Sequence, residues 1–343
     1  MPRQEQELAS EEITEVAPGI LRMQLPIQFT GLGHVNCYAL EDERGFAIVD
    51  PGLPGQKSWE GLVDRLGRAG IPQQRIHTVV ITHSHPDHFG GAARVREETG
   101  AEILTHSSFK LWWDRNSDGL DDTPSDALDQ PEDWARPTPW GGEFRPPVDP
   151  AMSEMRTEMR SADHHPHPTI RVEDGQLITL GRREWVSLHT PGHTPDHLCL
   201  FDPESGVVFA GDHVLPSITP HIGGLDGVAE DPLAEFFSSL DRMAKLENVT
   251  VALPAHGHPF VDLAGRVREI EEHHVERLAS LRKASEELDR PAPVQELMQQ
   301  LFSQRSWGSM AESETYAHLE HLRLTGSATT EWRDGLLCYQ TID

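Results

Sequence analysis

The sequence predicts an α/β protein in which helices flank mixed sheets, and three observations support this fold class. Over the first hundred residues or so, short apolar runs of strand length alternate with amphipathic segments of helical period. The run HTVVITH, at residues 77–83, is apolar along most of its length and is typical of a strand buried on both faces of a sheet. Later runs, between residues 177 and 212, follow one another at the spacing of hairpins, which indicates antiparallel strands.

The N-terminal part of the chain supplies its elements in a regular order. Residues 1–12 are polar and are expected to fray. Strands are predicted in GILRMQLPI, NCYAL, GFAIVD, HTVVITH and AEILTH, with helices in KSWEGLVDRLGRAG and GGAARVREETG. The first helix places Trp59, Leu62, Val63 and Leu66 on one face, and Gly70 ends it.

Residues 110–168 interrupt this alternation with a long segment rich in Pro, Asp and Gly. A stretch of this length without periodicity inside a compact domain is typical of a functional lid or of a partly disordered segment, and its tryptophans favour the lid. The segment carries tryptophans that we expect to pack, namely Trp112, Trp113, Trp134 and Trp140. Its last histidines lack a strand on either side, and we interpret His164, His165 and His167 as solvated loop residues.

Strands resume in TIRVEDGQLITLG, REWVSLHT, HLCLFDPESGVVFAGD and VTVALPAHG, so residues 13–264 are predicted to form one domain. From residue 265 onward, three helical segments, the last of them spanning 312–324, precede two short strands around Asp334-Gly335. This order predicts a winged-helix-like domain at 265–343. The apolar faces of its helices are interpreted as core or as contacts of a homodimer.

Composition excludes several classes of protein. The chain has 343 residues, 29 Lys and Arg against 56 Asp and Glu, and a formal net charge of −27. So acidic a chain repels phosphate backbones, which makes nucleic acid an unfavourable partner. Because the sequence contains no apolar run of about 18 residues and no secretory signal, we expect a cytoplasmic protein without a membrane span. The cysteines, Cys37, Cys199 and Cys338, are too scattered to predict a disulfide framework.

A dense group of ligand-type side chains directly follows the buried strand, in the hexapeptide HSHPDH at 83–88. His83 and His85 leave an extended segment on the same side because side chains alternate along it. Asp87 and His88 fall where a helix begins and are expected to point back at the same space. Two such pairs suit two metal ions better than one. The competing interpretation is a polar connection in which Asp87 caps the helix.

Three further candidates each follow an apolar strand: His193 in TPGHT, Asp212 in FAGD, and His256 in PAHG. Loops at strand ends are where α/β folds place their sites. Taken alone, each of these residues is also compatible with an ordinary loop or turn. His213 and His221 flank the expected site, and either a structural or a substrate-lining role fits them.

Together HSHPDH, TPGHT, FAGD and PAHG, with IVDPG upstream, resemble the metallo-β-lactamase superfamily over residues 15–260. The resemblance implies a four-layer αββα sandwich. It also implies that His83, His85 and His193 hold one metal ion, that Asp87, His88 and His256 hold a second, and that Asp212 bridges them. Asp50 matches the family's strand-end aspartate that supports the ligands from behind, although Asp-Pro-Gly is also a plain turn.

The ligand set suits two divalent ions, with zinc expected and manganese or iron compatible. Two such ions can ionise a shared water molecule, and the resulting hydroxide attacks a carbonyl carbon, with Asp87 and Asp212 as the catalytic carboxylates. The segment GDHVLP at 211–216 resembles the glyoxalase-II-like and acyl-thioesterase branch, and the C-terminal stretch resembles the β-lactamase-like protein 2 branch. We therefore predict hydrolysis of a small-molecule acyl thioester or ester.

Three alternatives stay open from the sequence. An endoribonuclease of the same fold fits the winged-helix-like tail, but residues 265–343 hold nine Lys and Arg against fourteen Asp and Glu, which disfavours RNA. A lactonase of this superfamily usually has a tyrosine near the bridging aspartate, and Tyr38, Tyr316 and Tyr339 all lie elsewhere in the sequence. The third alternative is a non-catalytic, metal-stabilised binding protein.

Overall fold

The computed structural model describes residues 3–29, 31–111, 136–144, 158, 165–225 and 229–342. The strands of these residues, in chain order, are β1 (Thr14–Ala17), β2 (Ile20–Phe29), β3 (Leu32–Asp42), β4 (Gly45–Val49), β5 (Ile76–Val80), β6 (Glu102–His106), β7 (Arg136–Pro137), β8 (Glu143–Phe144), β9 (Ile170–Val172), β10 (Leu177–Leu180), β11 (Arg183–His189), β12 (Leu198–Asp202), β13 (Val207–Gly211), β14 (Val251–Pro254), β15 (Ala292–Pro293), β16 (Ala328–Arg333) and β17 (Leu336–Thr341). The α-helices are α1 (Gln56–Arg68), α2 (Pro86–Phe89), α3 (Ala92–Thr99), α4 (Pro232–Ala244), α5 (Leu263–Leu288), α6 (Val294–Leu301) and α7 (Ser309–Leu324). Short 3-10 helices lie at Gln4–Gln6, Gln73–Arg75 and Gln304–Ser306.

Two mixed sheets form the centre of the molecule. The first has the order β1-β2-β3-β4-β5-β6-β9, antiparallel from β1 to β4 and parallel from β4 to β9. The second has the order β10-β11-β12-β13-β14, antiparallel except for the parallel pair of β13 and β14. The prediction of an α/β fold with mixed sheets is therefore confirmed.

Three apolar cores separate four layers. Between the sheets lie the large side chains Tyr38, Trp185 and Phe209, whose rings are in contact. The outer face of the first sheet is covered by α1 and α3, which bury residues such as Leu62 and Val95. The outer face of the second sheet is covered by α4 and the first half of α5. This is the αββα sandwich that the resemblance implies, since helices can bury their apolar face only against a sheet or another helix.

The strand ends that carry the candidate residues meet at one edge of the sandwich. The parallel strands β4 and β5 end just before Asp50 and the HSHPDH segment, and the parallel strands β13 and β14 end just before Asp212 and His256. Backbone hydrogen bonds join the two sheets here: Leu198 N–H donates to Thr82 O at 2.8 Å, and Asn36 N–H donates to Ala255 O at 2.7 Å. Side chains far apart in sequence are thus brought to one place.

A smaller C-terminal module follows. The second half of α5, with α6, α7 and the three-stranded sheet β15-β17-β16, encloses a separate apolar core that contains Leu281, Leu297, Leu319 and Tyr339. The element order is helix, strand, two helices and a hairpin. Helix α7 begins at Ser309, somewhat before the predicted start at residue 312. Since α5 packs on both the second sheet and this module, no break in packing marks the predicted division at 264/265.

Most of the predicted lid, including Trp112, Trp113, Trp134 and His164, lies outside the described residues. The described part around Trp140 packs on the C-terminal module. The Trp140 ring is 4.8 Å from that of Tyr316, and the Trp140 carbonyl accepts a hydrogen bond of 3.0 Å from Leu337 N–H. None of the described helices has the length and apolarity that crossing a membrane requires.

Candidate metal centre

The HSHPDH segment changes from strand-like backbone to helix in the middle. His85 is the N-cap of α2, and Pro86 occupies the first helical turn, where its fixed φ favours helix and its missing N–H costs nothing. Asp87 and His88 follow in that turn, both buried. The abrupt turn lets residues from both sides of Pro86 face one small volume, as the alternation of side chains predicts.

The structure brings the predicted ligands into two adjoining groups. The first group contains His83, His85, His193 and Asp212, and the second contains Asp87, His88 and His256. In each group, one potential ligand atom per residue lies within 4.8 Å of all the others.

The spacing inside these groups is that of metal ligands. In the first group, His85 Nδ1 lies 3.0 Å from His83 Nε2 and 3.1 Å from His193 Nε2. In the second group, Asp87 Oδ2 lies 3.5 Å from His88 Nε2 and 3.4 Å from His256 Nε2. Nitrogen ligands about 2 Å from a tetrahedral zinc ion stand roughly 3.3 Å from one another. The observed separations match that arrangement.

Asp212 lies between the two groups. Its Oδ2 is 3.6 Å from both His193 Nε2 and His88 Nε2, and its Oδ1 is 3.4 Å from His256 Nε2. Among the described residues, His88 Nε2, His256 Nε2 and Asp212 Oδ1 are buried and have no hydrogen-bond partner. Buried polar atoms without partners are costly, and three of them facing one space fit a metal site. One carboxylate therefore reaches both groups.

The outward-facing nitrogens of three imidazoles are each hydrogen-bonded. His88 Nδ1 donates to Asp50 Oδ2 at 2.9 Å, His193 Nδ1 to the His221 carbonyl at 2.8 Å, and His256 Nδ1 to the His34 carbonyl at 2.6 Å. A proton held on Nδ1 leaves the Nε2 lone pair directed inward, as ligation requires. His85 differs, since its Nδ1 is the inward atom.

Asp50 serves two ligands at once. It lies directly after β4 with a positive φ of 54° and is 1% exposed. Its Oδ1 accepts Thr82 N–H, and its Oδ2 accepts the Thr82 hydroxyl at 2.8 Å as well as His88 N–H. Because the Thr82 hydroxyl gives its proton to Asp50, Thr82 Oγ1 accepts from His83 Nδ1 at 3.0 Å. The strained backbone is the kind of conformation that persists where the surroundings hold it firmly.

The electrostatics of the two groups differ. Burial is the main cause that lowers the pKa of His83 and His85, that of His85 to about 3, so these rings are neutral and ready to bind a cation. Burial favours the neutral form of Asp87, but the neighbouring His88 and His256 outweigh it and lower the pKa of Asp87 to about 2. The pKa of His88 is raised well above its ordinary value because nearby carboxylates outweigh burial. Metal binding in the second group therefore releases protons.

The sequence did not single out several residues that hold the ligands in place. The His197 ring lies between the Thr190 hydroxyl, 2.8 Å from its Nδ1, and Asp212 N–H, which donates to its Nε2 at 3.0 Å. Gly211 has a φ of 51°, and a Cβ there would lie 2.5 Å from the His197 ring. The only sequence signal was a second histidine in TPGHTPDH, which cannot be distinguished from a ligand by spacing alone.

The loop that carries His256 is held from strand β3. Asn36 Nδ2 donates to the carbonyls of Pro254 and Gly257 at 2.8 and 2.9 Å, and the Tyr38 hydroxyl donates to Pro254 O at 2.7 Å. In the described part of the chain, His165 and His167 belong to neither ligand group. His213 is buried behind the site against Phe236, with ring centroids 5.0 Å apart.

Comparison with known proteins gives a consistent result. The model of the Metallo-beta-lactamase superfamily matches residues 30–256. The probable metallo-hydrolase YqjP of Bacillus subtilis is 23% identical over 333 residues, covering 94% of this chain and 98% of that protein. The lactamase-like protein adaB of Aspergillus niger is 31% identical over 80% of this chain and 66% of its own length. A hydroxyacylglutathione hydrolase of Albidiferax ferrireducens is 25% identical over 66% of this chain and 63% of that protein.

Solved structures extend the likeness to nearly the whole chain. A metallo-beta-lactamase family protein from Thermus thermophilus superposes with a TM-score of 0.76 and 27% identity, covering 96% of this chain and 100% of that one. A beta-lactamase domain protein from Burkholderia ambifaria superposes with a TM-score of 0.75 and 25% identity, covering 97% and 96% of the two chains. The similarity therefore includes the C-terminal module.

Proposed function

Because the chain belongs to the metallo-beta-lactamase superfamily, as its motifs predicted, we propose that it is a dinuclear metallohydrolase that cleaves a small-molecule acyl thioester or ester. The observation that carries this proposal is the convergence of seven side chains into two adjoining ligand groups that share Asp212. A binding protein stabilised by one structural metal needs neither a second group nor a shared carboxylate.

In this proposal His83, His85 and His193 would hold one ion, Asp87, His88 and His256 would hold the other, and Asp212 would be shared by both. The donor set consists of imidazoles and carboxylates, which suits zinc and is also compatible with manganese or iron. A pair of such ions supplies the Lewis acidity that lowers the pKa of a water molecule to near neutrality.

The protein contributes position and proton transfer. Asp50, Thr82 and the His34 carbonyl orient the imidazoles from behind, so that no ligand has to reorganise during the reaction. The lowered pKa keeps Asp87 ionised inside the second group, and its carboxylate would accept a proton from the attacking water and pass it to the leaving group. A thiolate is a good leaving group and needs little protonation as it departs. A site in which Asp87 is the proposed proton donor therefore suits a thioester.

Charge supports a small-molecule substrate rather than RNA. The whole chain has a formal net charge of −27, and the C-terminal module has more acidic than basic residues. A nuclease needs cationic side chains along the strand that it binds. Two of the three tyrosines give the lactonase alternative no support: the Tyr38 hydroxyl is bonded to Pro254 O, and the Tyr339 hydroxyl is bonded to Glu320 at 2.6 Å.

The names of the relatives bear on the substrate only indirectly. One relative is a hydroxyacylglutathione hydrolase, whose name denotes a thioester substrate, but the match covers about two thirds of each chain. The GDHVLP segment points in the same direction, and both observations favour the thioester over the other acyl classes. A cytoplasmic location and a homodimer remain predictions from the sequence.

The test is a panel of acyl thioesters, esters, lactones, β-lactams and single-stranded RNA, assayed with protein loaded with zinc, manganese or iron. We expect close to two metal ions per chain by elemental analysis and the fastest turnover with a thioester or ester. Faster cleavage of RNA would assign the protein to the nuclease alternative. A folded protein that binds metal but hydrolyses none of the panel would support the non-catalytic alternative.

A further inference from the structure

The loop at residues 220–225, which follows Asp212 in the chain, packs on both the sandwich and the C-terminal module. Ile222 is fully buried in the core formed by the second sheet, α4 and α5. Three residues later, Leu225 packs against the separate core of the C-terminal module. A loop anchored in two cores has little freedom to move by itself, so its conformation depends on how the two modules fit together.

This loop orients one metal ligand. His193 Nδ1 donates to the carbonyl of His221 at 2.8 Å, and that carbonyl is the described partner of the outward side of the His193 ring. The other bonded imidazoles receive their support from within the sandwich, from Asp50, Thr82 and His34. His193 is thus the ligand whose orientation is set by a loop rather than by a strand.

The first turns of α7 hold the loop through two contacts. The His221 ring has its Nε2 3.1 Å from the carbonyl of Met310. One turn further along the helix, the fully buried Ser313 accepts the N–H of Gly224 at 3.2 Å. Gly224 lies so close to the helix that a Cβ would come 2.5 Å from the Tyr316 ring. Both contacts join the C-terminal module to the segment that holds His193.

We propose that His221 and Ser313 are positioning residues for the metal ligand His193, and that the C-terminal module is therefore part of the metal centre. The contacts run from α7 to the 220–225 loop and from the carbonyl of His221 to the His193 ring. The proposal rests on the metal-binding part of the proposed function and does not depend on the substrate. It gives the acidic C-terminal module a role that requires no nucleic acid.

The size of the effect follows from general experience with residues behind metal ligands, whose removal costs about 10- to 100-fold in metal affinity. Substituting His221 leaves its backbone carbonyl in place and removes only the contact that fixes it. We therefore expect the lower end of that range, about a 10-fold loss. The loss should affect only one of two bound ions, since His88 and His256 are held from the sandwich.

The experiment measures zinc affinity by competition with a chromophoric chelator, using metal-free full-length protein. In the double variant His221→Ala/Ser313→Ala, one zinc ion should bind as in wild type and the other about 10-fold more weakly. His221→Gln should recover most of the affinity because a Gln amide can again donate to Met310 O. Should the double variant fail to fold, the two single variants are measured in its place.

Ser285→Ala is the matched control. Ser285 is also a buried serine of the C-terminal module that accepts a backbone N–H, but its donor is Thr341, at 2.9 Å on β17, and not a residue of the 220–225 loop. The proposal would be overturned if the double variant bound both zinc ions with wild-type affinity. It would also be overturned if Ser285→Ala lost as much zinc affinity as the double variant. If wild type binds two zinc ions without hydrolysing any substrate, the proposed function fails while the positioning role is still decided by the variants.

Discussion

The two ligand groups are built from different kinds of structure. In the second group, His88 rests on Asp50 at the end of β4, and His256 rests on the His34 carbonyl within β3, so both supports belong to the first sheet. In the first group, His83 also rests on the first sheet, through Thr82 and Asp50, but His193 rests on a loop that the C-terminal module holds. His85 is partly exposed, whereas His88 and His256 are fully buried.

This difference teaches which parts of the centre the sandwich forms by itself. A ligand supported by a sheet is already oriented before any metal binds, because the hydrogen-bonded strands hold its partner. A ligand supported by a loop is oriented only as firmly as the contacts at the other end of that loop. We therefore expect the first group to respond more strongly than the second to changes in the C-terminal module.

The largest effect is expected where the two groups meet. Asp212→Ala removes the one carboxylate that both groups share, so the bound metal should fall from about two ions to one or fewer. Loss of metal-assisted catalysis worth several kcal/mol predicts hydrolysis slower by about 10³-fold. Elemental analysis and initial rates measure both quantities.

Asp202→Asn is the control for this change, since Asp202 is also a buried aspartate but bonds Arg183 and Ser205 in the turn between β12 and β13. It should keep both metal ions. If Asp212→Ala retained two ions and normal turnover, the bridging role would be wrong.

The second prediction uses Asp50 to distinguish the metal affinities of the two ligand groups. Asp50→Ala removes the carboxylate that His88 bonds directly and that His83 reaches through Thr82. The second group should therefore lose about 100-fold in metal affinity, and the first group should lose less. Chelator competition measures both. Asp42→Asn is the matched control because Asp42, near the other end of the same sheet, also bonds a histidine, His77, at 3.1 Å. Equal losses in the two variants would show only that buried aspartates stabilise the sheet.

A smaller effect is expected at His197, which accepts the N–H of Asp212. In His197→Leu the N–H of Asp212 is buried without a hydrogen-bond partner, at a cost of about 2 kcal/mol. If this cost falls on the metal-binding position of Asp212, the metal affinity drops by roughly 30-fold. Because Asp212 serves both groups, both affinities should fall. A loss confined to one group would mean that His197 does not act through Asp212. Thermal unfolding of the metal-free variant checks that the fold persists.

The smallest effect concerns pH and the C-terminal module. Burial lowers the pKa of His274 to about 2 and that of His318 to about 3. His274 Nδ1 lies 3.0 Å from His318 Nε2. Unfolded histidine takes up a proton near its ordinary pKa of 6.5, whereas these folded rings stay neutral. The free energy of unfolding is therefore highest above pH 6.5 and decreases as the pH falls below that value. At a pH of about 6 the two histidines together should have lowered it by about 1.5 kcal/mol.

Urea unfolding at several pH values tests this expectation. The double variant His274→Leu/His318→Leu should lose less stability than wild type over the same range, since it lacks the two groups that take up protons on unfolding. The same pH dependence in variant and wild type would assign the effect to other groups, such as the metal ligands.

The HSHPDH segment could be interpreted from the sequence because its evidence is local. Alternation along an extended segment and the start of a helix at Pro86 already aim His83, His85, Asp87 and His88 at one volume. The distant ligands were found because each stands at a strand end, and strand ends are visible in the apolar pattern. Their roles followed only from the family resemblance.

Other features had no local signal. Asp50 adopts a positive φ and bonds both Thr82 and His88, and Asp-Pro-Gly in the sequence is equally compatible with a plain turn. His197 resembles a ligand in sequence, yet its ring bonds a backbone N–H. Trp140 was expected to belong to a lid, and the structure packs it on the C-terminal module. In each case the partner lies far away in the chain.

The sequence alone therefore determined the fold class, the strand ends at which the candidate residues gather and the chemical types of those residues. These depend on hydrophobic periodicity and on side-chain identity, which are local properties. Only the tertiary structure decided which atoms support each ligand and that α7 holds the loop behind His193. Such contacts depend on how distinct apolar cores pack against each other, and no short stretch of sequence records that packing.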